Sequence, residues 1–440
     1  MTINKEQAAV TTNSAVVEVL ATQPAVRAWQ EDLYRDLHQH PELSHQERRT
    51  AELVAQRLQR AGYEVHTGVG GTGVVGVLRH GAGSTVLLRA DMDALPVREA
   101  TGLPYASTAT STADESEPIP VAHACGHDMH VTCLLGAAQL LADGQDRWRG
   151  TVVTVFQPAE ETGDGARGMI EGGLRDIVSS VDVALGQHLV PAPAGTVATY
   201  TGPAFAAADS MRITLHGRGG HGSMPQATVD PVVLAAAIVL RLQTVVARET
   251  EPGDPTVVTV GRLMAGTKSN IIPDQAMLEL NVRTYSESTR AAVLEAIRRI
   301  VTAECAASNC PQDPEFELFD QFPLTDNDTE ITDRVAAAFG QFFGDRVGPG
   351  PRLTASEDFS EIPRALGAPY TYWVFGGSDP DHFRKAERAG RIAQDIPVNH
   401  SPAFAPVIQP TLDTGTQALA AAALAWLATP QDHAPQQQPN

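Results

Sequence analysis

The sequence predicts an α/β fold with a mixed, mostly parallel sheet, interrupted by a smaller α+β insertion at residues 205–320. Three observations predict it. The chain has 440 residues, more than one ordinary core accommodates, so two domains are expected. Strand-length apolar runs alternate with helical periodicity on both sides of the middle third, as in a sheet covered by helices. Within the middle third the pattern changes to period-two strands, as in a half-buried antiparallel sheet. The larger domain is therefore expected at 1–204 and 321–440, with loose tails at 1–22 and 430–440.

Residues 1–22 are mixed and polar and read as a loose arm or a poorly anchored helix. Helical periodicity starts near Val26 and runs through Trp29, Leu33 and Leu37 to His40, where Pro41 ends it. Gln46 to Ala61 reads as a second helix closed by Gly62. Strands are expected at Tyr63–His66, Gly73–Arg79 and Thr85–Ala90, the last a continuous apolar run of the buried kind. Ser107 to Pro118 is polar, acidic and poor in apolar residues, and reads as an exposed surface insertion. A helix follows His127, then the strand Thr151–Phe156, then the short strand Val181–Gly186 with His188 just after it. Near Pro203 the pattern changes. Ser210–His216 and Gln275–Arg283 alternate, with Thr256–Val260 and Glu315–Phe319 as further strands. Helices from Pro231 to about Arg248 and from Thr289 to about Ala307 complete a small sandwich. No internal repeat is visible.

The formal charge of -20 argues against nucleic acid and anionic membrane surfaces as partners. Four cysteines are no disulfide framework. Residues 1–23 lack a basic segment followed by a long apolar run, and no uninterrupted apolar stretch approaches membrane-spanning length. A cytoplasmic protein is expected, with Cys125 available as a thiolate.

Chemistry concentrates in Val121-Ala-His-Ala-Cys-Gly-His-Asp-Met-His130. Cys125 and His127, two apart around Gly126, can point a thiolate and an imidazole at one place, a donor pair that suits zinc-like ions. His130 can share a helix face with His127. Glu160 and Glu161 follow a strand. If that segment is extended, the two face opposite ways, so one can ligate a metal while the other acts as a base toward a metal-bound water. The plain alternative is a solvated acidic loop. Asp91 and Asp93 end a buried strand; a carboxylate there can orient a ligand histidine or simply cap a helix. His188 and His400, each taken alone, read as structural or surface histidines, and spacing promotes neither to a ligand.

Together these segments resemble the M20 peptidase family, in the branch of hippurate hydrolases, N-acyl-amino-acid amidohydrolases and auxin-conjugate hydrolases. The resemblance rests on His38-Gln-His-Pro-Glu-Leu43, Leu88-Arg-Ala-Asp-Met-Asp-Ala-Leu-Pro96, His123-Ala-Cys-Gly-His-Asp-Met-His130 and Phe156-Gln-Pro-Ala-Glu-Glu161. It continues through Gly217-Arg-Gly-Gly-His-Gly-Ser-Met-Pro225, Ser269-Asn-Ile-Ile-Pro273, Ser356-Glu-Asp-Phe359 and His400-Ser-Pro-Ala-Phe404. These segments keep the family's order through nearly the whole chain.

The resemblance implies a zinc-peptidase-like catalytic domain with an inserted lid and dimerisation domain. It implies two divalent ions, Zn, Mn, Co or Ni, held by Cys125, His127, Glu161, His188 and His400. Glu160 then corresponds to the general base and Asp93 to the carboxylate that orients a ligand. Asp91 stands where other branches carry a ligand histidine, and Cys125 takes over that coordination. In the lid, His221 corresponds to a residue that steadies the oxyanion in the partner subunit, which implies a homodimer. Asn270 corresponds to a substrate-binding asparagine. Arg283 corresponds to an arginine that grips the substrate carboxylate, or is an ordinary strand-edge charge. Gln226 departs from a frequent histidine, and Cys133, Cys305 and Cys310 read as free thiols.

The implied activity is hydrolysis of the amide bond of N-acyl amino acids by a metal-bound water with a glutamate base. The alternatives are a dipeptidase, carboxypeptidase or N-carbamoyl amino acid hydrolase of the same family, or a non-catalytic metal- or peptide-binding relative.

Overall fold

The computed structural model describes residues 14–111 and 118–428. The expected tail at 430–440, most of the expected arm at 1–22 and the middle of the expected insertion at 107–118 lie outside them. Flanking that insertion, Thr110–Ser111 pairs antiparallel with Ile119–Pro120. Residues 14–20 are helical, and Ala15, Val16, Val19 and Leu20 are buried. This part of the arm is therefore anchored through an apolar face that its polar surroundings obscured in the sequence.

The chain divides into two compact units. The larger comprises Met1–Gly202, Asn327–Pro351 and Phe359–Asn440; the smaller comprises Pro203–Asp326 and Arg352–Asp358. The return segment 352–358 carries no periodicity that would assign it to the smaller unit. Long-range backbone pairing does: Leu353 N–H donates to Ala204 O (2.8 Å) and Ala206 N–H to Ala355 O (2.9 Å).

The larger unit is built on an eight-stranded sheet. Its order is Glu64–Val69, Gly73–His80, Gly150–Gln157, Thr85–Asp91, Val183–Pro193, Tyr370–Ser378, Val197–Thr199, Val347–Pro349. The central pairs from Gly150–Gln157 to Tyr370–Ser378 are parallel, and the outer pairs are mixed. Buried on both faces, Thr85–Asp91 carries the apolar residues Val86, Leu87, Leu88 and Ala90 and interrupts them with Arg89, which pairs inside the core with Asp91. The helices Gln23–Gln39, His127–Asp143 and Ile408–Leu427 contribute to one hydrophobic core with these strands. His127–Asp143 is buried almost all round, which accounts for its apolar composition on every face. The helix Arg48–Arg60 ends as expected at Gly62, whose φ of 84° is the left-handed geometry glycine favours.

The smaller unit has an antiparallel sheet in the order Thr256–Ala265, Gln275–Thr284, Ala207–His216, Glu315–Phe322. Alternation puts Met211, Ile213, Leu215, Ala276, Leu278, Leu280 and Val282 into a core with the helices Pro231–Arg248 and Glu287–Ala307. Pro231–Arg248 is apolar and long enough by composition to cross a membrane. It nevertheless spends Leu234, Ala235, Ile238, Leu242 and Val245 on this core, as a core helix does.

Candidate metal centre

The sheet delivers the candidate residues to one end of its parallel strands, where α/β sheets place ligand sites. Asp91 closes Thr85–Asp91, with Asp93 two residues on; Glu160 and Glu161 follow Gly150–Gln157. His188 lies inside Val183–Pro193 rather than after a strand, because this strand runs several residues beyond its apolar start. Cys125 precedes Gly126, which caps the helix His127–Asp143 at φ 89°. A Cβ on Gly126 would meet Leu189 Cδ2 at 2.7 Å, so close packing as well as φ demands glycine there. His400 comes from the distant loop before Ile408–Leu427, held by its own N–H to Ala124 O at 2.7 Å.

These side chains converge. Cys125 Sγ lies 3.6 Å from His188 Nε2. His127 Nε2 lies 3.9 Å from both Glu160 Oε2 and Glu161 Oε1. His400 Nε2 lies 3.3 Å from Glu161 Oε1. Cys125, Glu161 and His400 form one group able to hold an ion, and His127, Glu160 and Glu161 form another, so Glu161 belongs to both. The segment carrying the two glutamates is not extended, as the sequence reading required, but a turn closed by Gly163 N–H to Glu160 O at 2.8 Å. Both carboxylates consequently approach the same imidazole instead of facing opposite ways.

The donor atoms fit a metal. His127 Nδ1–H donates to Asp93 O (2.9 Å) and approaches Asp93 Oδ1 (3.2 Å), which leaves Nε2 with its lone pair. That Nε2 and Glu161 Oε1 are both buried without a hydrogen-bond partner. Such atoms are costly unless something else satisfies them. His188 Nδ1–H donates to Leu189 O at 2.7 Å, freeing its Nε2 toward Cys125. Burial and the neighbouring His130 hold His188 far below the usual imidazole pKa, in the neutral form that ligates. Burial raises the Cys125 thiol, a tendency that a coordinated cation reverses. A thiolate, three imidazoles and a shared carboxylate suit borderline divalent ions.

Two neighbours already have other partners. His127 and His130 share a helix face, with stacked rings 5.4 Å apart. But His130 Nδ1–H donates to Asp91 Oδ1 (2.6 Å), and its Nε2 accepts Leu189 N–H (2.8 Å). Asp91 also receives Arg89 Nη1–H at 2.7 Å, inside the core. Burial would raise its carboxyl, but His127, His130 and Arg89 hold it well below the usual range. The chain Arg89–Asp91–His130–Leu189 thus braces the strand bearing His188 and occupies both nitrogens of His130, while Asp91, His127, His130 and His188 still lie close enough together to form a further group able to hold an ion.

Sequence reasoning gave no role to three further residues. His38 pairs through Nδ1 with Asp128 Oδ2 (2.6 Å) and through Nε2 with Glu99 Oε1 (3.2 Å), bracing the helix that starts at His127. Asn399 donates to Cys125 O (3.1 Å) and Leu189 O (3.2 Å), tying the loop of His400 to Cys125. His123 is buried with both ring nitrogens unpartnered, and burial lowers it to about 4. His38 lay in a quoted motif, whereas Asn399 carried no signal at all.

The remaining predicted residues belong to the smaller unit. His221 is exposed and its Nδ1 accepts Ser223 N–H at 3.1 Å. Asn270 is its neighbour across a short ladder, with Gly222 N–H donating to Asn270 O at 2.9 Å. Arg283 directs Nε–H to Asn281 Oδ1 (3.1 Å) and Nη1 to Thr354 O (2.6 Å) and Ser356 Oγ (3.2 Å).

Sheet and donor cluster together point to a metal-dependent hydrolase of the α/β class. Residues 87–396 match Peptidase family M20/M25/M40, and the chain belongs to this family of hydrolases acting on amide bonds. Thermostable carboxypeptidase 1 of Saccharolobus solfataricus is 38% identical over 356 residues, covering 80% of this chain and 86% of its own length. Hippurate hydrolase of Campylobacter jejuni is 39% identical over 338 residues, covering 75% and 83%. A solved Bacillus subtilis structure, described as a dinuclear metal binding peptidase of the M20 family, is 30% identical with a TM-score of 0.72, covering 91% of this chain and 98% of its own.

Proposed function

We propose that this hydrolase cleaves the amide bond of N-acyl amino acids, with Glu160 as general base. The observation that carries the reading is the turn holding Glu160 and Glu161 against one imidazole nitrogen, 3.9 Å from each. One carboxylate can then serve as ligand while its neighbour remains within reach of a water. Cys125, His127, Glu161, His188 and His400 would hold two divalent ions, of Zn, Mn, Co or Ni. When bound, these ions supply Lewis acidity and lower the pKa of a water.

The chain's own residues do the rest. Asp93 fixes the tautomer of His127 and accepts Glu161 N–H at 3.0 Å, which orients both. Glu160 takes a proton from the attacking water and returns it to the departing nitrogen. His221 would steady the oxyanion, Asn270 the amide and Arg283 the substrate carboxylate; these three roles rest on the family resemblance. Relatives named for hippurate and for carboxypeptidase activity share one chemistry, an amide whose departing amine is an amino acid with a free carboxylate. A homodimer is part of the proposal. Its support is the exposed apolar set Val233, Leu240, Val257, Leu263 and Met264, on one helix and the sheet-edge strand of the smaller unit.

The test is turnover of N-acetyl, N-benzoyl and indole-acetyl amino acids by metal-reconstituted protein, with the Glu160→Gln variant alongside. Glu160→Gln is expected to keep its metal and lose at least about 100-fold in kcat. Metal-loaded Glu160→Gln turning over at the parent rate would refute the base assignment. Preference for substrates lacking the free carboxylate would refute the substrate class.

A further inference from the structure

We infer that Glu47 is a positioning residue for the Glu160–Glu161 pair, a buried carboxylate that locks the turn on which both depend. The inference rests on the function proposed above. It begins from an oddity of the helix Arg48–Arg60. Glu47 occupies the N-cap position yet makes no side-chain cap hydrogen bond. That task falls to Glu42, whose Oε1 accepts Arg49 N–H (2.9 Å) and whose Oε2 accepts Thr50 N–H (2.8 Å). Glu47 turns inward instead and is fully buried.

There it meets three donors. Oε1 accepts Ala159 N–H at 2.8 Å and His45 N–H at 3.0 Å, and Oε2 accepts the Thr72 hydroxyl at 2.6 Å. Ala159 directly precedes Glu160 and has a φ of 51°, a left-handed conformation that alanine adopts only where its surroundings impose it. The surroundings here are specific. Gly165 N–H donates to Ala159 O at 3.1 Å, and a Cβ on Gly165 would sit 1.7 Å from Pro158 O, so the inner side of the turn admits glycine alone. On the opposite side of the Ala159 peptide, the Glu47 carboxylate takes its N–H. Without that acceptor, the N–H would be a buried donor with no partner, and the left-handed residue would lose one of its restraints.

The same short segment grips the other loop of the site. Ser44 Oγ–H donates to Asp93 Oδ2 at 2.7 Å, the oxygen that also accepts Glu161 N–H. Ala94 N–H donates to Glu42 O at 2.8 Å. Residues 42–47 therefore fasten the turn after one parallel strand to the loop after its neighbour. Glu47 touches none of the candidate metal donors, and it acts through the backbone of Ala159.

The experiment compares Glu47→Ala, Glu47→Gln and, as a cap-only control, Glu42→Ala. Cobalt-substituted protein supplies a visible spectrum independent of turnover. Glu47→Ala is expected to lower kcat by about 10- to 100-fold, with KM within about threefold of the parent and an altered cobalt spectrum. Glu47→Gln is expected to restore most of kcat, because its Oε1 can still accept both N–H groups and its Nε2 can donate to Thr72 Oγ1. Glu42→Ala is expected to melt earlier while keeping kcat and spectrum. An unchanged kcat and cobalt spectrum in Glu47→Ala, or an equal kcat loss in Glu42→Ala, overturns the inference. Should Glu47→Ala not fold, Glu47→Asp, whose side chain is one methylene shorter and withdraws the carboxylate from Ala159 N–H, takes its place, and an unaltered kcat and spectrum there overturn it equally. Glu160→Gln is run in parallel. If it stays active, the base assignment fails; if it is inactive while Glu47→Ala is normal, only the positioning role fails.

Discussion

Replacing His38 with alanine removes the imidazole that two carboxylates, lying almost wholly inside the protein, share as a hydrogen-bonding partner. The Asp128 and Glu99 side chains are 0% and 3% exposed, and His38 holds them at 2.6 and 3.2 Å. Burial alone would lower the His38 pKa, but Asp128 and then Glu99 raise it from 6.5 to about 10. Breaking a buried pair by deleting one partner costs about 3–5 kcal/mol, because the other charge stays behind without compensation. Lost contact with the Tyr34 and Tyr105 rings, 5.6 and 5.5 Å away, adds to this.

The pH dependence has a definite sign. A folded-state pKa raised above the unfolded 6.5 gives stability that is fully present below 6.5 and is lost as pH rises through about 10. The difference between parent and His38→Ala should therefore shrink across that window. The lowered Asp128 carboxyl acts oppositely: its contribution is present above 3.8 and is lost as pH falls through its lower folded value. All four tryptophans, Trp29, Trp148, Trp373 and Trp426, lie in the larger unit, so urea unfolding followed by their fluorescence reports that unit alone. A destabilisation below about 1 kcal/mol at pH 6, or parallel stability curves for parent and variant from pH 7 to 10, would refute the reasoning.

Two further predictions follow from the same geometry. Arg89→Met deprives buried Asp91 of a 2.7 Å ion pair and Gln157 of a 2.9 Å donor, and should cost about 3–5 kcal/mol in the same unfolding assay; a loss under about 1 kcal/mol would mean that His127 and His130 sustain the Asp91 charge without Arg89. Leu240→Glu places a charge on a helix surface where Leu240 is 74% exposed, and should convert a dimer to a monomer by light scattering without lowering the melting temperature. A Leu240→Glu dimer of undiminished affinity would remove this face from the proposed interface.

Much of the fold was legible because its signals are local. The apolar residues Val86, Leu87 and Leu88 in Thr85–Asp91, the alternation of Gln275–Thr284, Pro41 after the helix Gln23–Gln39 and Gly62 after Arg48–Arg60 each act within a few residues. The candidate donors were legible for another reason: the thiol, imidazoles and carboxylates are fixed by residue type, and the family resemblance selected among them. Less local features escaped. The smaller unit includes 352–358 through backbone pairing to 204–206, which leaves no periodicity. Glu160 and Glu161 approach one imidazole because Ala159 is left-handed, and alanine does not advertise that conformation.

By itself, then, the sequence determined which chemical groups are present, where helices and strands run, and which family the chain belongs to. Tertiary structure alone decided which groups are available. His130 and His188 are both imidazoles near the same cluster, yet His130 spends both nitrogens on Asp91 and the Leu189 backbone, whereas His188 turns its Nε2 to the Cys125 thiol. Asp91 and Glu161 are both carboxylates, yet Asp91 is neutralised by Arg89 while Glu161 retains a buried oxygen without a hydrogen bond. The reason is physical. A side chain's donor and acceptor capacity is set by its covalent structure, but how much of it remains unspent depends on neighbours brought in from Cys125 to His400 by the order of the strands.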